Sequence, residues 1–205
     1  MADNIALFLT ASEVSAKAFN RVLLLLQDLE YTEWETDTPW CVMTTDSVDQ
    51  ACVPTFPHLT ASPTPNAFTG KSLQDINSFM RRNNDALNKP VDVLTDVWVV
   101  IDARGMQEGN CIVCEQDYDG ETSEMMDSFR GVRLPFEHAW DICANLSISN
   151  MDLEAWVDED AGPQEDGVYK WCGPFPGGKG NVEDPKLEEK RNAVLEKWKK
   201  DGYID

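Results

Sequence analysis

VLTDVWVVIDA (residues 93–103) is the stretch that decides the fold. It is an almost uninterrupted apolar run rich in valine, which is typical of a strand covered on both faces. Such a strand needs helices on its sheet to complete the core. We therefore predict a buried strand here, within a sheet that helices flank.

Shorter apolar runs on both sides predict the other strands. They are IALFLTA (5–11), WCVMTTD (40–46), CIVCEQDY (111–118), FRGVRL (129–134) and GVYKWC (167–172). Capping residues and helical spacing predict helices at 13–29, 71–86, about 136–144, about 151–158 and 185–200. The turn ARGMQEGN (103–110) predicts that strands 93–103 and 111–118 form a hairpin or are near neighbours. The fold class is α+β or α/β, with a mixed sheet of about five or six strands.

The chain has 205 residues, which suits one domain with added segments. We predict an N-terminal strand-helix extension (1–38) packed on a core domain (39–172). A Pro/Gly linker (173–184) then leads to a basic C-terminal helix (185–205). Docking of this helix on the acidic body is favoured over an arm that binds phosphate or a partner.

The charge balance limits the partners. The formal net charge is −20, from 37 acidic and 17 basic residues. Such a surface repels nucleic acid and anionic membranes and favours a cationic small molecule or a basic protein, although solubility alone also explains it. Only the C-terminal helix offers a contact for RNA such as tRNA. With no basic leader and no apolar run long enough to span a membrane, a cytoplasmic location is expected.

The six cysteines are expected to be reduced thiols in a cytoplasmic protein. Cys111 and Cys114 have the CxxC spacing of redox and zinc sites, but they lie in a predicted strand, where residues three apart point to opposite faces. The only histidines are His58 and His138. No metal and no cofactor are therefore predicted.

Five runs of the sequence carry a family resemblance. They are VMTTD (42–46), FTGKSL (68–73), the apolar strand that ends at Asp102, FRGVRLPFEHAWDICANLSISNMDLEAWVDED (129–160) and GVYKW (167–171). They resemble an uncharacterised domain family of actinobacterial and fungal proteins, in which a strand with FRV, a proline, a tryptophan and NLSIANMDF precede a D-G-V strand. The resemblance covers about residues 40–172 and departs from the pattern at Ala144, where the family often has asparagine. It implies a fold and a domain boundary, but no activity.

Acidic residues at strand ends are the first candidates for chemistry. Asp46 and Asp102 each end an apolar strand, where side chains of open α/β sheets face the ligand crevice. The pair would bind a cation or act as general acid and base, whereas each alone would cap a turn. Glu137 and Asp141 share one face of the predicted helix at about 136–144. With Arg130 or Arg133 they would form a polar site, in which Glu137 takes part in catalysis and Arg130 binds substrate. A solvated helix face is the simpler interpretation.

Three further residues are predicted to bind substrate. Trp40 and Trp171 lie at element ends, where an indole lines a pocket more readily than in mid-strand. Asn145 belongs to ANLSISNMDLEAW (144–156), which is better explained as a helix start capped by Ser149 or Asn150. Asn145 stays a candidate if its amide lies beside Asp46 or Asp102.

Two classes of function remain open. The first is a small biosynthetic enzyme acting on an amine or guanidinium compound, for instance arginine-derived, such as a cyclodipeptide synthase using aminoacyl-tRNA. It is motivated by the strand-end carboxylates, the aromatic residues and the net charge of −20. The second is a non-enzymatic acidic binding module, immunity-like, that masks a basic protein. The sequence leaves open whether the protein is an enzyme.

Overall fold

A computed structural model describes residues 4–29, 37–49, 51–174 and 185–205. The strands are β1 (Asn4–Leu9), β2 (Trp40–Met43), β3 (Val93–Ile101), β4 (Asn110–Tyr118), β5 (Met125–Pro135) and β6 (Tyr169–Lys170). The α-helices are α1 (Ala16–Leu25), α2 (Leu73–Arg82), α3 (Asn84–Ala86), α4 (Ala103–Glu108), α5 (Ala139–Ser147) and α6 (Pro185–Lys200). A π-turn spans Leu87–Val91, and 3-10 turns span Phe136–His138 and Leu153–Trp156.

The six strands form one mixed sheet in the order β2-β1-β3-β4-β5-β6. β1 pairs in parallel with β2 and β3, and β6 pairs in parallel with β5. Only β4 runs antiparallel to its neighbours. The predicted α+β fold with a mixed sheet is confirmed, and the carboxyl ends of five strands meet at one edge of the sheet.

The run that predicted a buried strand forms the middle of the sheet. Val97, Val99 and Ile101 belong to the core on one face of the sheet, and Trp98 and Val100 belong to the core on the other face. Both faces of β3 are therefore buried in apolar cores, which explains why its sequence does not alternate between apolar and polar residues.

Helices cover the two faces. Apolar residues of α1 and α5 fill the first core, and those of α2 fill the second. The Ser15 side chain caps α1 by accepting the backbone N–H of Ala18, and Ser72 and Asp75 form a capping box at the start of α2. These caps fix where the helices begin and how they lie on the sheet.

The N-terminal segment is part of the core itself. β1 lies between β2 and β3, with Leu7 opposite Val42 on one side and Val99 on the other. The division into an N-terminal extension and a core domain stays a prediction, and β1 takes an interior position in the sheet, paired on both sides.

Several predicted element bounds differ from the structure. The predicted turn ARGMQEGN contains the short helix α4, and the antiparallel pairing of β3 with β4 around it is as expected. The predicted helix at 71–86 is interrupted after Arg82. The predicted helix at 151–158 is only a 3-10 turn. Among the described helices, none is long and apolar enough to cross a membrane.

The cysteines divide into two groups. Cys111 and Cys114 are buried in opposite cores, as the period of a strand predicts. Cys41 and Cys52 form a disulfide, with their Cα atoms 6.1 Å apart. The expectation that all six thiols are reduced is therefore wrong. The cause is tertiary, because the loop after β2 returns along that strand and brings Cys52 to Cys41.

The C-terminal helix α6 docks on the body of the protein. Trp198 and Ile204 are buried with Leu24 and Leu29 in a third apolar cluster. Lys190 also donates to the backbone carbonyl of Leu29. Docking was the favoured interpretation, but apolar contacts carry much of it. Most of the predicted linker (175–184) lies outside the described residues.

Candidate functional site

A cleft of about 760 Å³ opens at the sheet edge where the parallel strands end. Its walls come from α1, α4 and the ends of β5 and β6. They include Arg21, Val22, Arg104, Met106, Arg133, Phe136, Glu137, Lys170 and Trp171. In open α/β sheets, ligands bind in the crevice outside the carboxyl ends of the strands. We refer to this cavity as the carboxyl-edge cleft.

Two of the cations in the cleft walls are already neutralised. Arg133 donates to Asp102 through Nη2 at 2.6 Å and Nη1 at 3.1 Å, and its Nε lies 3.2 Å from Asp166. Arg104 pairs with Glu108 at 2.8 Å and with Asp166 at 3.3 Å. These contacts build the wall and leave little charge for a ligand.

Three other charged groups in the cleft remain available. Within the described part of the chain, the side chains of Arg21, Glu137 and Lys170 form no hydrogen bond or ion pair with one another or with any other residue. Arg21 and Lys170 are exposed, whereas Glu137 is half-buried. The cleft thus offers two cations and one carboxylate to a ligand.

Asp102 has a structural role in this arrangement. It is the N-cap of α4, and its Oδ1 accepts the backbone N–H of Gly105 at 2.6 Å. Partial burial opposes ionisation, but the hydrogen bonds from Arg133 and Gly105 outweigh it and hold the pKa of Asp102 below its usual value. The interpretation that Asp102 caps a turn is the one that this geometry matches.

Asp46 does not form a common site with Asp102. It is exposed, and it lies three residues beyond the end of β2, the edge strand. β1 separates β2 from β3, so these two strands lie about 10 Å apart. Asp102 faces the β5 side, where Arg133 binds it. The predicted pair of strand-end acids is therefore not brought together.

The two candidate tryptophans have different environments. Trp40 is fully buried, and its indole N–H donates to the carbonyl of Leu26 at 3.0 Å. It is a core residue and not a pocket wall, because the end of α1 covers β2. Trp171 lines the carboxyl-edge cleft and packs on His138, with ring centroids 4.9 Å apart. Its buried indole nitrogen has no acceptor among the described residues.

Arg130 lies outside the cleft. Its guanidinium pairs with Glu115 at 2.8 Å, with Asp117 at 3.5 Å and with Glu154. Burial raises the pKa of Glu115, although Arg130 counteracts this effect. The cluster joins β4, β5 and the 3-10 turn Leu153–Trp156, so Arg130 has a structural explanation.

Asn145 closes the end of α5. Its Nδ2 donates to the carbonyl of Asp141 at 2.7 Å, and its Oδ1 accepts Nδ2 of Asn150 at 2.7 Å. Its partners are therefore local and include neither strand-end acid. The following 3-10 turn has Asp152 as its N-cap, and not Ser149 or Asn150 as predicted.

Other chemistry finds little support in the described residues. Burial raises the pKa of the Cys111, Cys114 and Cys143 thiols, which makes them poor nucleophiles. No group of three or more His, Cys, Asp or Glu side chains in these residues is placed to hold a metal ion. The expectation that the protein uses no metal and no cofactor remains a prediction.

Of the predicted site residues, Glu137 and Trp171 meet in the cleft. Sequence reasoning missed Arg21 and Lys170. Lys170 follows the same strand-end logic as the acids, so its position at the end of β6 was a usable signal. Arg21 lies on α1, far in sequence from the other charged residues of the cleft, and only the fold brings it beside them.

The chain belongs to the family described as "Domain of unknown function (DUF6924)", whose model matches residues 32–171. This span is about two thirds of the chain and agrees with the resemblance seen in the sequence. It contains Glu137, Lys170 and Trp171, whereas Arg21 and the central strand β1 lie before it. No curated protein sequence and no solved structure matches the chain.

Proposed function

We propose that the protein binds a small amino-acid-like zwitterion in the carboxyl-edge cleft. The observation that carries the proposal is the set of three charged side chains around one cavity, Arg21, Lys170 and Glu137, none of which has an ionic partner among the described residues. A ligand with a carboxylate and an ammonium group complements two cations and one carboxylate.

Each part of such a ligand has a counterpart in the cleft. Arg21 and Lys170 supply N–H donors for a carboxylate, and charge-assisted hydrogen bonds of this kind are among the stronger ones in proteins. Glu137 accepts from the ammonium group. Val22, Phe136 and the ring of Trp171 form an apolar wall against which a ligand side chain packs.

The proposal keeps part of the expected substrate and changes another part. An amine-containing compound was expected from the acidic composition, and Glu137 supports that part. A purely cationic ligand such as a guanidinium compound is less well supported, since Asp102 is engaged by Arg133 and Asp46 lies elsewhere. Arg21 and Lys170, which have no ionic partner in the described part of the chain, favour a ligand that also carries an anionic group.

Binding is better supported than catalysis. Glu137 lines the cleft, and carboxylates serve as general acids and bases in many enzymes. However, the described residues that line the cleft include no Ser, Thr or Cys to carry an acyl group. A cyclodipeptide synthase using aminoacyl-tRNA therefore stays a prediction, which no hydroxyl or thiol among the described lining residues favours.

The acidic binding module is a second proposal, for which the net charge of −20 is the support. Exposed acids such as Glu159, Asp160 and Glu165 lie in one loop before β6. A basic protein partner would bind at low salt and dissociate as the ionic strength rises. Retention of a partner that is insensitive to salt would contradict this mode of binding.

Isothermal titration calorimetry against the twenty amino acids tests the main proposal. The tightest ligand is then compared with its N-acetyl and carboxamide forms, each of which lacks one charge. We expect both derivatives to bind about tenfold more weakly. Equal binding of either derivative, or no saturable binding of any amino acid, would contradict the proposal.

Variants assign the charges to residues. Glu137→Gln should remove the preference for the free amine over the N-acetyl form, while the preference for the carboxylate remains. Arg21→Gln and Lys170→Gln should do the opposite. Glu196→Gln and Lys199→Gln change exposed charges on α6, away from the cleft, and should leave both preferences unchanged.

A further inference from the structure

A second cavity, of about 560 Å³, lies between the loop after β2 and the end of α6. It shares no lining residue with the carboxyl-edge cleft. The lining consists of Phe56, Pro57, His58, Lys197, Trp198, Asp201 and Tyr203. Four of these seven side chains are aromatic rings, so we refer to it as the aromatic cavity.

The rings of the aromatic cavity are held against one another. His58 lies 4.1 Å from Trp198 and 4.5 Å from Tyr203 between ring centroids, and its plane is perpendicular to that of Tyr203. Trp198 is buried, whereas Phe56 and Tyr203 are 37% and 40% exposed. Trp198 thus forms the floor, and the other rings form walls that a ligand can reach.

A buried amide fixes this arrangement. The side chain of Asn20, which is 1% exposed, accepts the backbone N–H groups of His58 and Leu59 at 3.1 and 2.8 Å. Its Nδ2 donates to the carbonyls of Leu59 and Tyr203, both at 3.1 Å. One side chain therefore ties the loop that carries His58 to the segment that carries Tyr203.

The backbone of His58 is strained in this position. Its φ is +91°, a value that residues other than glycine rarely adopt. Strain of this kind persists only where the surroundings impose it, and it concentrates at ligand sites. Asn20 accepts the backbone N–H groups of His58 and Leu59 here, and the ring of His58 meets that of Tyr203 edge to face.

Aromatic faces carry negative charge density and attract organic cations. Asp201 adds a carboxylate to the rim, and the carboxyl end of the α6 dipole points to the same region. Lys197 also lines the cavity and opposes a cation, but the whole protein carries a net charge of −20. The rings, Asp201 and the overall field together favour a positive ligand.

We propose that the aromatic cavity binds a methylated ammonium group. Such a group is a diffuse cation with an apolar surface, which fits three ring walls over an indole floor better than a small hydrated cation does. The group belongs either to a free compound such as choline or to a trimethylated lysine side chain in a peptide. The site is independent of the zwitterion site proposed above.

Calorimetry with choline and with its neutral isostere 3,3-dimethyl-1-butanol tests the proposal, since the two differ in charge but hardly in shape. We expect choline to bind in the millimolar range or more tightly and the isostere at least about fivefold more weakly. Equal affinities, or no saturable binding of choline, tetramethylammonium or a trimethyllysine peptide, would overturn it. A peptide that binds more tightly than choline identifies the source as a side chain, and the reverse identifies a free compound.

Matched variants separate the ring effect from folding. Tyr203→Phe keeps the aromatic face and should bind within about twofold of wild type, whereas Tyr203→Leu should lose about three- to tenfold. Phe56→Leu on the exposed wall should show a similar loss. Unfolding curves of each variant establish that the domain is intact.

Variants of the two charged residues at the rim, Asp201 and Lys197, test whether the ligand is a cation or an anion. Asp201→Asn should weaken choline binding, and Lys197→Met should strengthen it, because each changes the local charge by one in opposite directions. A stacked anionic ligand requires the reverse pattern. If Lys197→Met weakens binding and Asp201→Asn strengthens it, the site is not a cation site.

Discussion

The guanidinium of Arg133 forms a bidentate ion pair with the carboxylate of Asp102, in which Nη2 lies 2.6 Å from Oδ2 and Nη1 lies 3.1 Å from Oδ1. The Arg133 side chain is only 8% exposed. Since Asp102 also caps α4, this pair fastens the start of α4 to the end of β5. It therefore sets the relative position of two walls of the carboxyl-edge cleft.

Replacement of Arg133 by Met should destabilise the fold. Asp102 would then keep its partly buried carboxylate without a cation, and loss of one partner of a buried pair is costly. Because Asp102 is partly exposed, we expect a loss of about 2 kcal/mol in the free energy of unfolding. Urea denaturation at neutral pH measures it. The double variant with Asp102→Asn should recover part of the loss, and strict additivity of the two changes would contradict a direct coupling.

The same pair should make stability depend on acid. The pKa of Asp102 is lower in the folded state than in the unfolded chain, so its contribution is fully present above the unfolded pKa of about 3.9 and is lost as the pH falls through the lower pKa of the folded state. The difference in unfolding free energy between wild type and Arg133→Met should therefore shrink between about pH 5 and pH 3. A difference that stays constant over this range would show that Arg133 acts through packing alone.

Gly105 should not tolerate a side chain. A Cβ at this position would lie 2.3 Å from the carbonyl oxygen of Asn110, a backbone atom that cannot move aside cheaply. Gly105→Ala should destabilise the protein by about 1 to 3 kcal/mol and weaken ligand binding in the adjacent cleft. Gly120→Ala is the control, because nothing lies within 4 Å of a Cβ there. Similar stability of the two variants would contradict this account.

Local patterns predicted where the strands lie because the signal lies within each strand, although β6 (Tyr169–Lys170) is much shorter than the predicted strand 167–172. The valine-rich run at 93–103 needed no partner to be identified, and the opposite faces of Cys111 and Cys114 follow from the period of a strand. Trp40 was misplaced for the same reason. Its position beside Pro39 resembles an exposed end of a strand, but the end of α1 covers it. Such a tertiary contact cannot be predicted from the sequence of either segment alone.

The candidate site depends on strand order, which no local pattern contains. Arg21, Glu137 and Lys170 come from segments more than 30 residues apart and meet only because β5 and β6 end beside α1 and α4. Asp102 and Arg133 are 31 residues apart. Their pairing follows from the antiparallel β4, which places β5 two strands from β3. Strand-end position was therefore a useful criterion, but it could not indicate which ends are adjacent.

Asn20→Ala should lower the free energy of unfolding by more than the loss of one hydrogen bond would, because the Asn20 side chain forms four hydrogen bonds. It would leave the backbone N–H groups of His58 and Leu59 and the carbonyl of Tyr203 without the Asn20 side chain as partner in a partly buried setting. We expect a loss of about 3 kcal/mol in the free energy of unfolding. Asn150→Ala removes an exposed amide and should cost less than about 0.5 kcal/mol. A near-neutral Asn20→Ala would mean that the loop and the C-terminal segment are held together by the aromatic contacts instead.

The disulfide between Cys41 and Cys52 can be tested by counting reactive thiols. Protein purified without reductant and unfolded in denaturant should show four reactive thiols, because two of the six cysteines are bonded. Cys52→Ser should show five, and it should lose about 2 to 3 kcal/mol of unfolding free energy, since the bond restricts the unfolded chain. Reduction of wild type should lower its stability to that of the variant. Six reactive thiols in untreated wild type would show that the pair is reduced where the protein is made, as expected of a cytoplasmic location.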